Sequence, residues 1–472
     1  MGGERKYGAV VIGGGIGGLC CAIDLLARGI DTCVVEQGAK AGGAFSSFRR
    51  GKMLFDTGFH WIGGAGHGEM MYPLLCRYGL EKLPWKRLDD EGFNKIYDDK
   101  DVFAIPTGVE HFQQRLSETF PDERTSIADL SATLKHMASH LYDSLDPAWN
   151  IMENPLFSTS AFKYLEQKFH SPRLRSLICG CAANTELLPR LPLYSLLQSM
   201  ASFLQGAYRL QGGGQRIVDT LVQHILSLGG TIKTKVHVNG IVLDGDAVCG
   251  VTTDEGELHA DLVISTLHPS ITIGMLPESK SIRGIYRRRM TRLPNSRGYF
   301  TVQLQLKPST LPYRNYSLSI IDSKEQLFVN YAYPEAGGPY AQNIDLLVPM
   351  EWSDVSRWSD SRYGHRPEEY YTFKQRRAEE CISLAGRYID GLSDAVEHVY
   401  TSTPLTWRDY TGTVEGSAFG VQKHYDNLAG TILSSTTPVP GLYLAGQSVT
   451  LHGMLGTMMT SARLSEKLKL EN

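Results

Sequence analysis

Apolar and polar positions fall in blocks along the chain, and the blocks predict its elements. Residues 7–12 form an apolar run and a glycine-rich turn follows. Apolar positions then recur at helical spacing as far as Gly29, and a second apolar run closes on Glu36. That order predicts strand, turn, helix and strand. Between 106 and 206 the spacing predicts helices over 110–120, 127–145, 158–169, 172–179 and 194–205, separated by prolines and short polar stretches. Gly212, Gly213 and Gly214 make a further turn, after which Ile217, Val218, Leu221, Val222, Ile225 and Leu226 share one helical face. Residues 231–265 alternate like a small antiparallel sheet and end in an apolar strand at 262–265. Strands are expected over 299–307, 316–321, 326–333 and 343–349, and a helix over 370–388. The C-terminal part closes with an apolar strand at 442–445 and a helix from about Leu455.

At 472 residues the chain exceeds a single core, so two domains with interleaved segments are expected. Hydrophobic residues at 42% and charged residues at 21% describe a folded protein rather than a disordered one. Lys and Arg (47) nearly balance Asp and Glu (50), so no global field recruits nucleic acid, and no nucleic-acid motif is present. No apolar run reaches the roughly 18 residues of a membrane-spanning helix. Residues 1–10 hold no apolar segment of the secretory kind. Cys179 and Cys181 form C-x-C without a second pair or histidines, which argues against a metal site; the other six cysteines are scattered. A reduced, cytoplasmic setting is expected.

The opening turn carries the chemistry. Gly13, Gly15 and Gly18 spell G-x-G-x-x-G between a strand and a helix. The first glycine permits the tight turn, the second lets a pyrophosphate approach the backbone, and the third lets helix and strand pack closely. Unpaired N–H groups and the helix dipole at the helix N-terminus favour that negative charge. Glu36, at the tip of the second strand, is placed to accept hydrogen bonds from a ribose, and a carboxylate there repels a 2′-phosphate. Strand, turn, helix, strand and acid in this order mark a nucleotide-binding βαβ unit. No second strand-linked turn of this kind exists, which argues against a separate NAD(P)H domain.

Beyond Glu36 come Gly42 and Gly43, then Phe55-Asp56-Thr57-Gly58; near the C-terminus, Gly446-Gln447 precedes His452-Gly453 and a helix rich in small residues (Gly456, Thr457, Ser461, Ala462). This layout resembles the FAD-dependent family of phytoene desaturases, carotenoid isomerases and retinol saturases, and more distantly the amine oxidases. Residues 174–196 and the C-terminal stretch are most similar to the bacterial retinol-saturase-like branch. The resemblance implies FAD as cofactor. It also implies an α/β fold in which a Rossmann-type FAD-binding domain of the GR2, amine-oxidase-like kind is interleaved with a mixed-sheet substrate domain and a helical insertion. On that pattern the FAD domain comprises 1–105, 207–266 and 430–472, the insertion 106–206 and the substrate domain 267–429. The double glycine lies near the pyrophosphate, a valine backbone like that of Val236 meets the adenine, and the helix from about Leu455, after Gly446 and Gln447, points at the flavin pyrimidine ring. Where many members have arginine after the double glycine, this chain has Ala44.

The implied activity is saturation or desaturation of carbon–carbon bonds in an apolar isoprenoid or polyene lipid, with an unspecified electron partner. Three readings compete with it. One is flavin-dependent isomerisation without net redox. Another is amine oxidation, though its usual flavin-facing lysine and aromatic cage have no evident counterpart. The last is a prenyl-binding escort protein without a working flavin, against which the intact glycine turn and Glu36 speak. His60 and His452 lie in flavin-adjacent stretches and are the candidate proton donors or acceptors; the plainer reading is that each only hydrogen-bonds backbone or cofactor. Arg283, Arg287, Arg288, Arg289, Arg292 and Arg297 cluster in sequence. Such runs are usually solvated surface; the sharper expectation is a patch touching anionic lipid headgroups at the inner face of a membrane.

Overall fold

The computed structural model describes residues 6–98, 101–146, 149–182, 187–278, 282–321, 326–334 and 337–470. Positions 183–186 of the saturase-like stretch, and Ser281 of the arginine-rich one, lie outside the described residues. Strand Lys6–Ile12, helix Ile16–Leu26 and strand Thr32–Glu36 follow the opening pattern. The two strands pair in parallel and sit inside a seven-stranded sheet. Parallel strands covered on both faces read as continuous apolar runs, and alternate residues here enter different cores. Ala9, Val11 and Val34 face one, while Val10, Ile12, Cys33 and Val35 face the other.

Chain segments distant in sequence complete this sheet. Thr231–Thr234 extends the edge beside Thr32–Glu36, and Gly256–Ser265 pairs in parallel with Lys6–Ile12 on the other side. The far edge of Gly256–Ser265 is shared between Ala247–Thr253, antiparallel, and Leu442–Leu444, parallel. The expected small antiparallel sheet is therefore a hairpin (Val238–Asp244 with Ala247–Thr253) grafted onto a parallel sheet.

A second seven-stranded sheet runs Val396–Ser402, Gly298–Leu306, Asn343–Met350, Gln326–Tyr331, Ser317–Ile321, Asn94–Tyr97 and Val102–Ile105. Residues 94–105, read from sequence as part of the first nucleotide-binding segment, thus form two strands of the second sheet. Asn94–Tyr97 pairs with Ser317–Ile321 in parallel. The side chains of the sheet alternate strictly. Phe300, Val302, Leu304, Ile344, Leu346 and Val348 pack against helix Glu368–Gly386. The opposite face carries Tyr299, Gln303, Phe328, Asn330, Asp345 and Leu347, and it faces the first sheet's ligand side, where Gln303 and Asn343 donate to the carbonyls of Asp56 and Leu54.

Helices Val109–Thr119, Arg124–Ser139, Ala161–Lys168, Pro172–Cys181 and Leu193–Gln205 fill the region expected to be helical. Ser160 and Ser171 cap two of them through their hydroxyls. Their apolar faces join the core of the first helix rather than forming one of their own. The expected single helix over 127–145 is broken after Ser139, and a 3-10 turn, Leu141–Leu145, replaces its end.

Candidate active site

Helix Ile16–Leu26 begins at Gly15 with no side-chain cap, so its first N–H groups are left for a ligand. Gly13 holds φ +100°, and a Cβ there would come 2.6 Å from Thr266 Oγ1. On Gly18 a Cβ would come 2.0 Å from the Gly13 carbonyl, so only glycine lets helix and strand approach this closely. A Cβ on Gly15 would meet nothing within 4 Å. That flank opens on a groove, and the backbone cradle suits a diphosphate.

The groove, about 230 Å³, is lined by Gly13, Gly15, Glu36, Gly42, Gly43, Val236, Gly446 and Gln447, and so gathers all but two of the residues expected to bind the cofactor. Gly18 packs behind the turn instead, and Leu455 lies in the neighbouring cavity. Val236 lines the groove, but its N–H donates to the Glu36 carbonyl at 3.1 Å, which leaves its own carbonyl for a base. Glu36 accepts from the backbone N–H groups of Gly14 (2.8 Å) and Gly38 (2.6 Å), one on each carboxylate oxygen. Those bonds fix the carboxylate beside the turn, with acceptor capacity left for a ribose. Among the described residues no arginine lines the groove; the exposed Lys40 is its cation, a residue the sequence reading passed over.

The terminal helix Gly453–Leu470 closes the groove. Ser461 Oγ donates to the Gly17 carbonyl at 3.1 Å, and a Cβ on Gly17 would stand 3.0 Å from Gly446 Cα. The first and last glycine stretches are therefore in contact. Buried Lys423 fixes the loop between them, donating to the carbonyls of Thr431 (3.0 Å), Ser448 (2.7 Å) and Val449 (3.1 Å). Nothing in the sequence pattern marks Lys423, because these three partners are backbone carbonyls.

A second cavity of similar size adjoins the groove and shares Ile16, Ala44, Phe45, Gln447 and Thr457 with it. Aromatic side chains dominate its wall: Phe59, Trp61, Phe203, Tyr299, Phe328, Trp407 and Phe419. Both candidate histidines reach it. His452 Nε2 donates to the Val421 carbonyl at 2.9 Å, and the ring stacks on Phe419 at 5.6 Å. Burial, with the Lys423 charge, lowers its pKa to about 3, so it stays neutral. The plainer reading therefore fits His452 better than proton transfer does. His60 differs. Its Nδ1 faces Asp345 Oδ2 at 3.6 Å, its Nε2 has no partner among the described residues, and burial lowers its pKa to about 4. Gln198, on helix Leu193–Gln205, also lines this cavity with its Nε2 unpaired, beside Ser195, Ser199 and Ser202 on the same helical face.

Comparison with known proteins agrees with this geometry. The profile of the flavin containing amine oxidoreductases matches residues 16–466. The chain is 25% identical over 530 residues to the all-trans-retinol 13,14-reductase of Rattus norvegicus, covering 99% of this chain and 86% of that one. It is 22% identical over 484 residues to the 4,4'-diapophytoene desaturase (4,4'-diapolycopene-forming) of Methylomonas sp, covering 97% and 94%. The crystal structure of an oxidoreductase from Methanosarcina mazei superposes with a TM-score of 0.66 at 18% identity over 97% of this chain and 99% of its own, a likeness of fold. The chain belongs to the flavin containing amine oxidoreductase family. It is an oxidoreductase of the two-domain α/β flavin fold, and its cofactor is FAD.

Proposed function

We propose that this oxidoreductase adds or removes hydrogen across a carbon–carbon bond of a polyene lipid, with saturation of a retinoid-like chain the favoured direction. The observation that carries this is the aromatic cavity meeting the cofactor groove along five shared residues. Bound FAD supplies hydride exchange with carbon; the chain's own residues do the rest. Phe59, Trp61 and Phe419 exclude water and hold an extended apolar chain against the cofactor. Gln198 offers a hydrogen bond to a polar end of that chain, and His60 serves one carbon as proton donor or acceptor. His452 orients Phe419 and the loop before the terminal helix. The groove residues Gly13, Gly15, Glu36, Gly42, Gly43, Gly446 and Gln447 hold the cofactor, with Val236 at its adenine end and Leu455 in the first turn facing the flavin.

The reading extends to organisation and place. Residues 1–93, 207–266 and 430–472 form the FAD domain, with 94–105 joining the 267–429 substrate domain and 106–206 covering the cavity. The arginine-rich surface contacts anionic lipid and so gives access to a lipid-soluble substrate; among the described residues no helix is long and apolar enough to cross a membrane. The deciding experiment is anaerobic. The purified yellow protein is reduced, then offered all-trans-retinol, a carotenoid and an enone lipid. Reoxidation coupled to a product two mass units heavier supports saturation. A product of unchanged mass overturns it in favour of isomerisation, and turnover of amines with peroxide release overturns it in favour of amine oxidation. A colourless protein that takes up no FAD would leave only the escort reading.

A further inference from the structure

Behind His60 lies a third, smaller cavity of about 50 Å³, room for a few water molecules, and polar side chains make up about half of its lining. Asp56, Arg209, Asn330, Tyr331 and Asp345 face it, and His60 forms part of the wall it shares with the aromatic cavity. Five buried polar atoms around it have no partner among the described residues: His60 Nε2, Arg209 Nε, Asn330 Nδ2, Tyr331 Oη and Asp345 Oδ1. Leaving buried polar groups unpaired is costly, so this concentration calls for water and a purpose.

The sheet register explains the arrangement. Asp345 lies directly opposite Gln303 on one neighbouring strand and Asn330 on the other, on the face that looks toward the cofactor. Asp345 is 5% exposed, and His60 is its one ion-pair neighbour among the described residues. Arg209 is spent on Tyr313 Oη, Ser317 Oγ and the carbonyls of Arg314 and Tyr316. Burial, reinforced by the nearby Asp56, raises the Asp345 pKa well above the carboxylate range. Asp56, bonded to Ser47 Oγ and the Gly214 N–H, is itself raised to about 6. An acid whose protonated form burial favours thus faces one nitrogen of an imidazole whose other nitrogen has no partner among the described residues.

We propose that Asp345 is the proton reserve of the active site and His60 its outlet to the substrate. This rests on the polyene-oxidoreductase reading above. In the saturating direction the reduced cofactor, when bound, would supply hydride to one carbon of the double bond. The other forms its new C–H bond with the proton of His60 Nε2. As that proton leaves, His60 Nδ1 takes the proton of Asp345, which becomes a carboxylate solvated by chamber water, Asn330 and Tyr331. After the product departs, a solvent proton enters at Nε2 and the Nδ1 proton returns to Asp345. One hydride and one solvent proton are consumed per bond saturated, and desaturation is the reverse. Asp56, Arg209 and Tyr331 are the other titratable groups facing Asp345: Arg209 is held by its four hydrogen bonds, burial raises the Tyr331 pKa to about 12 and keeps it neutral, and Asp56, raised to about 6, titrates just below neutrality.

Asp345→Asn is the test, since asparagine matches the shape and charge of the neutral acid and leaves the fold in place. Infrared spectra of the FAD-loaded protein at pH 7 should show a protonated-carboxyl band that this substitution removes; absence of any such band in the parent protein overturns the proposal whatever the substrate. Single turnover with all-trans-retinol in deuterated water should place one solvent deuterium in the product. The Asp345→Asn rate should fall by about 10²-fold or more with the flavin spectrum unchanged, and Asp345→Glu should recover part of it. Wild-type rates in Asp345→Asn overturn the relay. Failure of the parent protein to reduce any polyene overturns instead the oxidoreductase reading, and the infrared band then decides whether Asp345 stores a proton.

Discussion

Gly17 and Gly446, at opposite ends of the chain, lie in backbone contact: a Cβ on Gly17 would come 3.0 Å from Gly446 Cα and 3.1 Å from Thr457 Cγ2. Two neighbouring positions should therefore respond differently to a side chain. Gly17→Val must push the terminal helix away, and overpacking of this kind costs about 1–3 kcal/mol. It should lower the thermal midpoint and the visible absorbance together. Gly15→Ala has open space for its Cβ but fills the cradle, so the midpoint of the apoprotein should hold while FAD retention falls. Thermal melting of apo and loaded samples, with the ratio of visible to ultraviolet absorbance, checks both.

Gln198 has a buried Nε2 without a partner among the described residues, in a chamber walled largely by aromatic side chains. A site built to hydrogen-bond a hydroxyl discriminates strongly against the analogue lacking it. Gln198→Leu should raise KM for all-trans-retinol at least tenfold while changing KM for a hydrocarbon carotenoid little. Steady-state kinetics on the two substrates checks it; equal effects on both would mean that Gln198 only shapes the wall.

The parts of the site legible in sequence were those where physics restricts the residue type. Gly13, Gly15 and Gly18 are glycines because of a positive φ, an open cradle and a 2.0 Å clearance, and such needs leave a fixed spacing. Helices 109–119 and 193–205 showed through their periodicity. Asp345 did not, although a signal existed. Its strand reads Asn-Ile-Asp-Leu-Leu, and alternation in a strand covered on both faces puts asparagine and aspartate together on a buried face. That Asn94–Tyr97 pairs with Ser317–Ile321 in the second sheet was not legible in the sequence, because such a pairing is a long-range choice that a short strand pattern does not encode. Lys423 and Lys40 act through backbone carbonyls and through position, and neither leaves a motif.

The arginine run divides on inspection. Arg287 turns inward and donates to the carbonyls of Ile273, Leu276 and Pro277, closing the end of helix Pro269–Gly274. Arg283, Arg288, Arg289 and Arg292 remain exposed around Ile285, which is 68% exposed. A basic ring around an apolar tip suits an anionic bilayer surface, where each cation contributes about 1 kcal/mol. Arg288→Glu with Arg292→Glu should abolish sedimentation with phosphatidylserine vesicles at low salt, Ile285→Ser should weaken it, and Arg287→Ala should instead lower stability. No sedimentation of the parent protein would remove the membrane contact.

The buried imidazoles predict a pH signature. His452 has its pKa lowered from 6.5 to about 3, so the folded state stays neutral where the unfolded chain takes up a proton. Its contribution to stability is present above pH 6.5 and is lost as pH falls toward 3. The slope is about 1.4 kcal/mol per unit. Asp56 and Asp345, whose pKa values are raised, act in the opposite sense over part of the range, so the parent protein alone is a poor reporter. A comparison isolates the histidine. His452→Gln keeps a donor for the Val421 carbonyl but cannot titrate, so at pH 7 it should lose stability only through altered packing on Phe419. Between pH 6.5 and 5 the parent should lose about 2 kcal/mol relative to the variant. Urea denaturation at both pH values measures that gap. A gap that stays constant would mean that His452 titrates in the folded protein as it does in the unfolded chain, with its pKa not lowered.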